Sequence, residues 1–266
     1  MLVCQPMGMS LTFPGAPLAS EPPLTTNYAI DGPRHRLLLH PFPRRVRARF
    51  AGEVVLDSTR GALLHESNIL PRLYVPLEDV RADLLERTDH STHCPFKGDA
   101  SYWSVRVGDR VAENAVWTYE EPVDEASWLR GLVSVYPERM DAWFDEDEEV
   151  TGLRDPYHRV DARRSSRRIE VRSDGQVLAR SERPVVVDET GLPLRFYLPR
   201  EDVAAELRPS ETTKACPYKG RASSWSLDGI EDVAWSYEEP LESMLAARGH
   251  VSFDASKVEV SELALD

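Results

Sequence analysis

Apolar and polar residues alternate through most of this chain, and the period is two. Ile169 and Val171 alternate with charged neighbours, and Ser173-Asp174-Gly175 then supplies a hairpin turn. Arg60, Ala62, Leu64 and Glu66 share one strand face, as do Arg183, Val185, Val187 and Glu189. Trp103, Val105 and Val107 alternate inward, and so do Trp225 and Leu227. Trp117, Tyr119 and Glu121 fall on one face, as do Trp235, Tyr237 and Glu239. Two kinds of stretch leave this pattern. PLEDVRADLLER predicts a short helix: Pro76 opens it, acids fill its first turn, Arg87 closes it, and Val80 and Leu84 face the core. PREDVAAELR repeats this with Val203 and Leu207. A second short helix is expected to end at Gly131 or Gly249, each a left-handed cap. The predicted order is β-β-β-α-β-β-α-β, antiparallel because the connections are short.

That order occurs twice. CPFKGDASYW (94–103) returns as CPYKGRASSW (216–225). FAGEVVLDS (50–58) matches SDGQVLARS (173–181), and RLYVPLEDV (72–80) matches RFYLPREDV (195–203). AVWTYEEP (115–122) matches VAWSYEEP (233–240), and GLVSV (131–135) matches GHVSF (249–253). Five collinear matches mean a duplicated domain. The offset is about 123 early and 118 late, so loops changed length. The expected domains are 41–145 and 167–266, with a Pro-rich N-terminal extension over 1–40 and a charged linker over 146–166.

Composition narrows the function classes. Of 266 residues 41% are hydrophobic, enough for packed cores, and no apolar run is long enough to span a bilayer. A net charge of −13 argues against nucleic acid as a partner. The arginines at 44, 45, 47 and 49, those at 163, 164, 167 and 168, and the DEDEE run at 145–149 read as solvated strand edge or linker. Three cysteines without a CxxC pair predict neither a disulfide scaffold nor a zinc site, so no metal and no cofactor is expected. An N-terminus without signal-peptide features places the chain, as an expectation, in the reducing cytoplasm.

Candidate chemistry comes from pairs of residues that recur. Glu66 and Glu121, with Glu189 and Glu239 in the second copy, sit at the ends of core-facing strand faces. A carboxylate alone in an apolar wall costs several kcal/mol, so each needs water or a partner. Lys97 and Lys219, each on a Pro-to-Gly turn, are the expected partners. One pocket per domain follows. Tyr74, Trp103, Trp117 and Tyr119 would line the first, and Tyr197, Trp225, Trp235 and Tyr237 the second. The lysines, Glu121, Glu239, Cys94 and Cys216 are candidate acid, base or nucleophile at the rim. At one position the copies differ: Tyr102 becomes Ser224, which period two puts on the outward side of its strand. His90 and His93 flank the first turn, but Glu211 and Ala215 stand in that region of the second copy, so these histidines carry no shared mechanism. Neither a Ser-His-Asp arrangement nor a Gly-rich phosphate loop is present.

The segments YVPLEDV, CPFKGDASYW and AVWTYEEP, with YLPREDV, CPYKGRASSW and VAWSYEEP, resemble the family known as domain of unknown function 427. The resemblance implies a mainly β chain of two β-tent-like domains, each of antiparallel strands with two short helices. Methionine sulfoxide reductase B and the ligand-binding domain of cereblon share that architecture. The zinc-binding cysteine pairs of some β-tent proteins have no counterpart here. A nucleotidyltransferase label attached to the family also finds none, for no Gly-Ser precedes a spaced Asp pair that would hold Mg²⁺. Three functions stay open: a pair of domains binding a small polar ring-shaped ligand, a small cofactor-free enzyme using Lys or Cys, and a structural pseudo-dimer in which the two repeats pair within the chain.

Overall fold

The computed structural model describes residues 11–21, 25 and 27–264; the remainder of the expected 1–40 extension lies outside the described residues. The chain divides into two compact units between Asp155 and Pro156. Both are mainly β, with antiparallel sheets and a few short helices.

The N-terminal unit contains β1 (Leu37–Phe42), β2 (Val46–Phe50), β3 (Glu53–Ser58), β4 (Gly61–Glu66), β5 (Ile69–Pro76), β6 (Leu85–Cys94), β7 (Gly98–Val107), β8 (Arg110–Thr118), β9 (Leu132–Val135), β10 (Ala142–Asp145) and β11 (Glu148–Val150). Seven of these form one sheet in the order β1-β4-β5-β9-β8-β7-β6, and the rest form a small sheet, β11-β10-β2-β3. The large sheet is apolar on both faces. Leu63, Val75 and Val116 join Val46, Ala48 and Val55 of the small sheet in one core. The neighbouring residues Leu64, Tyr74 and Trp117 point the other way, into a second cluster with Tyr102, Tyr119, Ala126 and Leu129.

The C-terminal unit contains β12 (Val160–Arg164), β13 (Arg168–Ser173), β14 (Gln176–Ser181), β15 (Val185–Glu189), β16 (Arg195–Tyr197), β17 (Arg208–Cys216), β18 (Gly220–Leu227), β19 (Ile230–Ser236), β20 (Val251–Phe253) and β21 (Glu259–Leu263). Strands β12-β15-β16 and β17-β18-β19-β20 follow the same order as the large N-terminal sheet. A single bridge from Leu198 to Val251 joins them, where β5 pairs with β9 in the first unit. The small sheet is β14-β13-β21. Asp174 and Gly175 both take positive φ in the β13–β14 turn, as a tight hairpin with right-handed twist requires.

Three expectations are corrected. The helix over PLEDVRADLLER is two 3-10 turns, Leu77–Asp79 and Ala82–Leu84, separated by extended Val80. Val80 is buried and bridges Leu56, and Val203, partly buried, bridges Ala179. A lone helix that short is marginal, so burying a β-branched valine at the edge of the small sheet outweighs it. The helices before Gly131 and Gly249 are likewise 3-10, over Asp124–Leu129 and Glu242–Ala247. Both glycines do take positive φ. The stretch 146–166 is not all linker, because it supplies β11 and β12. The acidic run and the first arginine cluster meet: Arg44 Nε donates to Asp145 at 2.6 Å and Arg47 Nη2 to Asp147 at 2.9 Å. Among the described residues, no helix is long and apolar enough to cross a membrane.

Candidate functional site

Each unit brings three ionisable side chains into contact at one end of its large sheet: Glu66 and Lys97 are buried and His35 partly so in the first, Glu189 and His158 are buried and Lys219 partly so in the second. In the first unit Glu66 closes β4, where the chain turns through left-handed Asn68. Lys97 lies on the turn Cys94-Pro95-Phe96-Lys97, which joins β6 to β7 and is closed by Lys97 N–H to Cys94 O at 3.2 Å. Its ammonium donates to Glu66 Oε2 and faces the Tyr119 ring, 5.8 Å from the centroid. His35 Nε2 donates to Glu66 Oε1 at 2.8 Å. Glu66 is 6% and Lys97 7% exposed.

The second unit repeats this. Lys219 Nζ donates to Glu189 Oε2 at 2.5 Å, and His158 Nε2 to Glu189 Oε1 at 3.2 Å. An aromatic ring covers each imidazole: Phe96 stacks on His35 at 3.6 Å, and Tyr218 lies 4.2 Å from His158. Burial raises Glu189, but the His158 hydrogen bond and the Lys219 charge outweigh it and hold the carboxyl below its usual range. Burial lowers Lys219, yet the Glu189 charge prevails and holds the ammonium above its ordinary value. The array is therefore a bound ammonium–carboxylate pair braced by an imidazole.

The sheet face beside it is aromatic. Tyr74, Trp117 and Tyr119 cluster in the first unit, with Tyr74 edge-on to Trp117 at 6.3 Å. Tyr197, Trp235 and Tyr237 take these places in the second, where Trp235 Nε1 donates to the Tyr197 hydroxyl at 2.9 Å. Burial pushes the Tyr74, Tyr119 and Tyr197 phenols up, so they stay neutral donors. Burial also pushes the Cys216 thiol up, against the nearby Lys219 charge. Both Cys94 and Cys216 are free thiols.

Several residues expected at the pocket lie elsewhere. Trp103 packs into the core between the sheets, and Trp225 into its counterpart, beneath the Arg200 guanidinium at 4.0 Å. The register explains this. Tyr102, not Trp103, stands opposite Trp117, so Tyr102 takes the site face and Trp103 the other. Tyr102 is thus inward, contrary to the expectation for that position. Glu121 and Glu239 are exposed as well. Strand β8 ends at Thr118 and β19 at Ser236, so alternation stops before either glutamate. Glu121 instead reaches Arg130 at 3.3 Å with its side chain 88% exposed. What this motif contributes is backbone: a Cβ on Gly98 would meet Glu121 O at 3.2 Å, and one on Gly220 would meet Glu239 O at 3.1 Å. That close approach, at φ +103° and +101°, explains the glycine after each lysine.

Sequence reasoning missed His35 and His158. Both lay in segments read as extension and linker. A signal was available, since PRHR (33–36) and PYHR (156–159) stand 123 residues apart, the offset that relates Glu66 to Glu189. Among the described residues no cluster of His, Cys, Asp and Glu has the make-up of a metal site.

A family model described as a domain of unknown function, DUF427, matches residues 38–146 and again 161–263. No curated protein matches the chain.

Proposed function

The chain belongs to the DUF427 family and carries its domain twice, and from this premise we propose that it is a small-molecule recognition protein. Its ligand is small, planar and polar, and is anchored at the His–Glu–Lys array beside the tryptophan–tyrosine face. The observation that carries this reading is the array itself. A hydrophobic core gains nothing from three ionisable groups, two buried and one partly buried, whose desolvation costs several kcal/mol, yet both halves hold them in the same arrangement. An ammonium has three donors. Among the described residues Glu189 is the one hydrogen-bond acceptor found for Lys219, and Glu66 for Lys97. The remaining N–H groups suit a carbonyl or carboxylate oxygen of a ligand whose ring stacks on the aromatic face.

Catalysis by Lys219 or Cys216 is disfavoured by the same electrostatics. The ammonium is held protonated and the thiol is pushed up, so neither is a nucleophile at neutral pH. The free thiols fit a reducing, cytoplasmic setting. A thermal-shift screen with nucleobases, cyclic imides and amino-acid derivatives tests the binding reading. Tm should rise with ligand concentration as RT ln(1 + [L]/Kd), and the rise should vanish in the Lys97→Met, Lys219→Met variant. A flat Tm across the panel means the array serves stability alone.

A further inference from the structure

The two halves share the charged array but differ in what holds it from outside. In both, the residue after the histidine is bonded to the residue after the glutamate. Arg36 N–H donates to Ser67 Oγ at 2.8 Å, and Ser67 N–H to Arg36 O at 3.0 Å. In the second half Arg159 N–H donates to Thr190 Oγ1 and Thr190 N–H to Arg159 O, both at 2.9 Å. Each pair lies one residue along from the array, so it fixes whether the imidazole stays on its carboxylate.

Among the described residues, the first pair alone carries a further piece of chain. Residues 11–21 form a loop closed on itself by Leu18 N–H to Leu11 O at 2.7 Å and Ala16 N–H to Phe13 O at 2.8 Å. Side-chain hydrogen bonds fasten this loop to the turn after Glu66. Arg36 Nη1 donates to Ala19 O at 2.5 Å, Asn68 Nδ2 to Ser20 Oγ at 2.8 Å, and Ser67 Oγ to Leu18 O. Thr12 Oγ1 donates to Ile69 O at 3.3 Å, and Thr12 and Ala19 are fully buried there. The matching residues of the second half have other tasks. Arg159 turns to Asp161 and Asp188, Gly191 stands where Asn68 does, and the Thr190 hydroxyl folds back on Arg159 O at 3.2 Å.

We infer that residues 11–21 are a releasable strap that controls the first array alone. Docked, the strap holds the Arg36–Ser67 pair and so keeps His35 on Glu66. Detached, it lets that end of the sheet open, while the second array is untouched. Nothing in this depends on what the array binds. The strap can leave because hydrogen bonds hold it rather than a core: among the described residues, the four apolar clusters take no side chain from 11–21. Residues 27–34, between the strap and β1, are almost all exposed and form neither strand nor helix, so little packing opposes its departure. The duplicated domain thus has one array under the control of the N-terminal segment and one free of it.

Hydrogen exchange of the full chain, read at single amides, tests this. In the wild type, Arg36 and Ser67 should exchange about tenfold more slowly than Arg159 and Thr190, which make the same pair without a strap. The Thr12→Val, Ser20→Ala variant removes two of the fastenings and alters no residue of the turn. It should raise exchange at Arg36 and Ser67 about tenfold, and leave Arg159, Thr190 and the central strand amide of Val116 as they were. Circular dichroism checks that the variant is folded. Unchanged exchange at Arg36 and Ser67 overturns the inference, since the segment then holds nothing in place. An equal rise at Val116 also overturns it, because residues 11–21 are then part of the global fold and not a separable strap. Equal protection of the two pairs in the wild type does the same. Each of these outcomes leaves the recognition reading standing.

Discussion

Glu189 and Glu239 show how little a residue type says without its surroundings. Both are glutamates near the end of a strand in the same half, yet one is buried between His158 and Lys219 and the other is exposed. The Glu189→Gln variant leaves a buried ammonium without its counter-charge. At pH 7 it should lose about 3 kcal/mol in urea unfolding, while Glu239→Gln matches the wild type. Acid separates them too. The Glu189 carboxyl is depressed in the folded state, so its contribution is complete above the unfolded value of about 4.3 and is lost as pH falls through the lower folded value. Wild-type stability should decline there, and the decline should be shallower in Glu189→Gln. Lys219 acts at the other end: being raised, it contributes fully below the unfolded lysine value, and that contribution is lost as pH rises through the folded one.

The turn that carries each lysine is held by backbone. Val123 N–H donates to Lys97 O and Leu241 N–H to Lys219 O, both at 3.1 Å, so the EEP segment is strapped over the CP(F/Y)KG turn. Only a glycine allows that contact. Gly98→Ala and Gly220→Ala combine a positive φ with a collision against a carbonyl, and each should lower stability by about 1–3 kcal/mol. Gly108→Ala, at φ +55° with nothing within 4 Å of its Cβ, carries the backbone strain alone and should cost less. Comparing the three melting temperatures checks this. Equal losses would mean that the strap is not tight.

Each half owns its cores: the clusters of the first draw on residues up to Leu153, and those of the second on residues from Val160 onward. Such units should unfold independently. The fragments 9–155 and 156–266 should each melt cooperatively, and differential scanning calorimetry of the full chain should resolve into their two transitions. A fragment 156–266 without a transition would favour the structural reading, in which one copy depends on the other.

Much of this was readable from residue order alone. Duplication, the mainly β class, the Asp174-Gly175 turn and the positive φ of Gly131 and Gly249 follow from spacing and local backbone preference, which neighbouring residues determine. So does the need for a partner at Glu66, because burying a lone charge is costly wherever it occurs. Folding had to decide which face each tryptophan takes, whether PLEDV coils or extends, and that His35 arrives at Glu66 from a segment without strand periodicity. Alternation sets parity within one strand only. Across a hairpin, parity depends on register: β7 and β8 pair Trp103 with Val116 and Tyr102 with Trp117, so the aromatic facing Trp117 is Tyr102. Which rings cover Trp117 depends on contacts between residues far apart in the chain, and no local pattern encodes those.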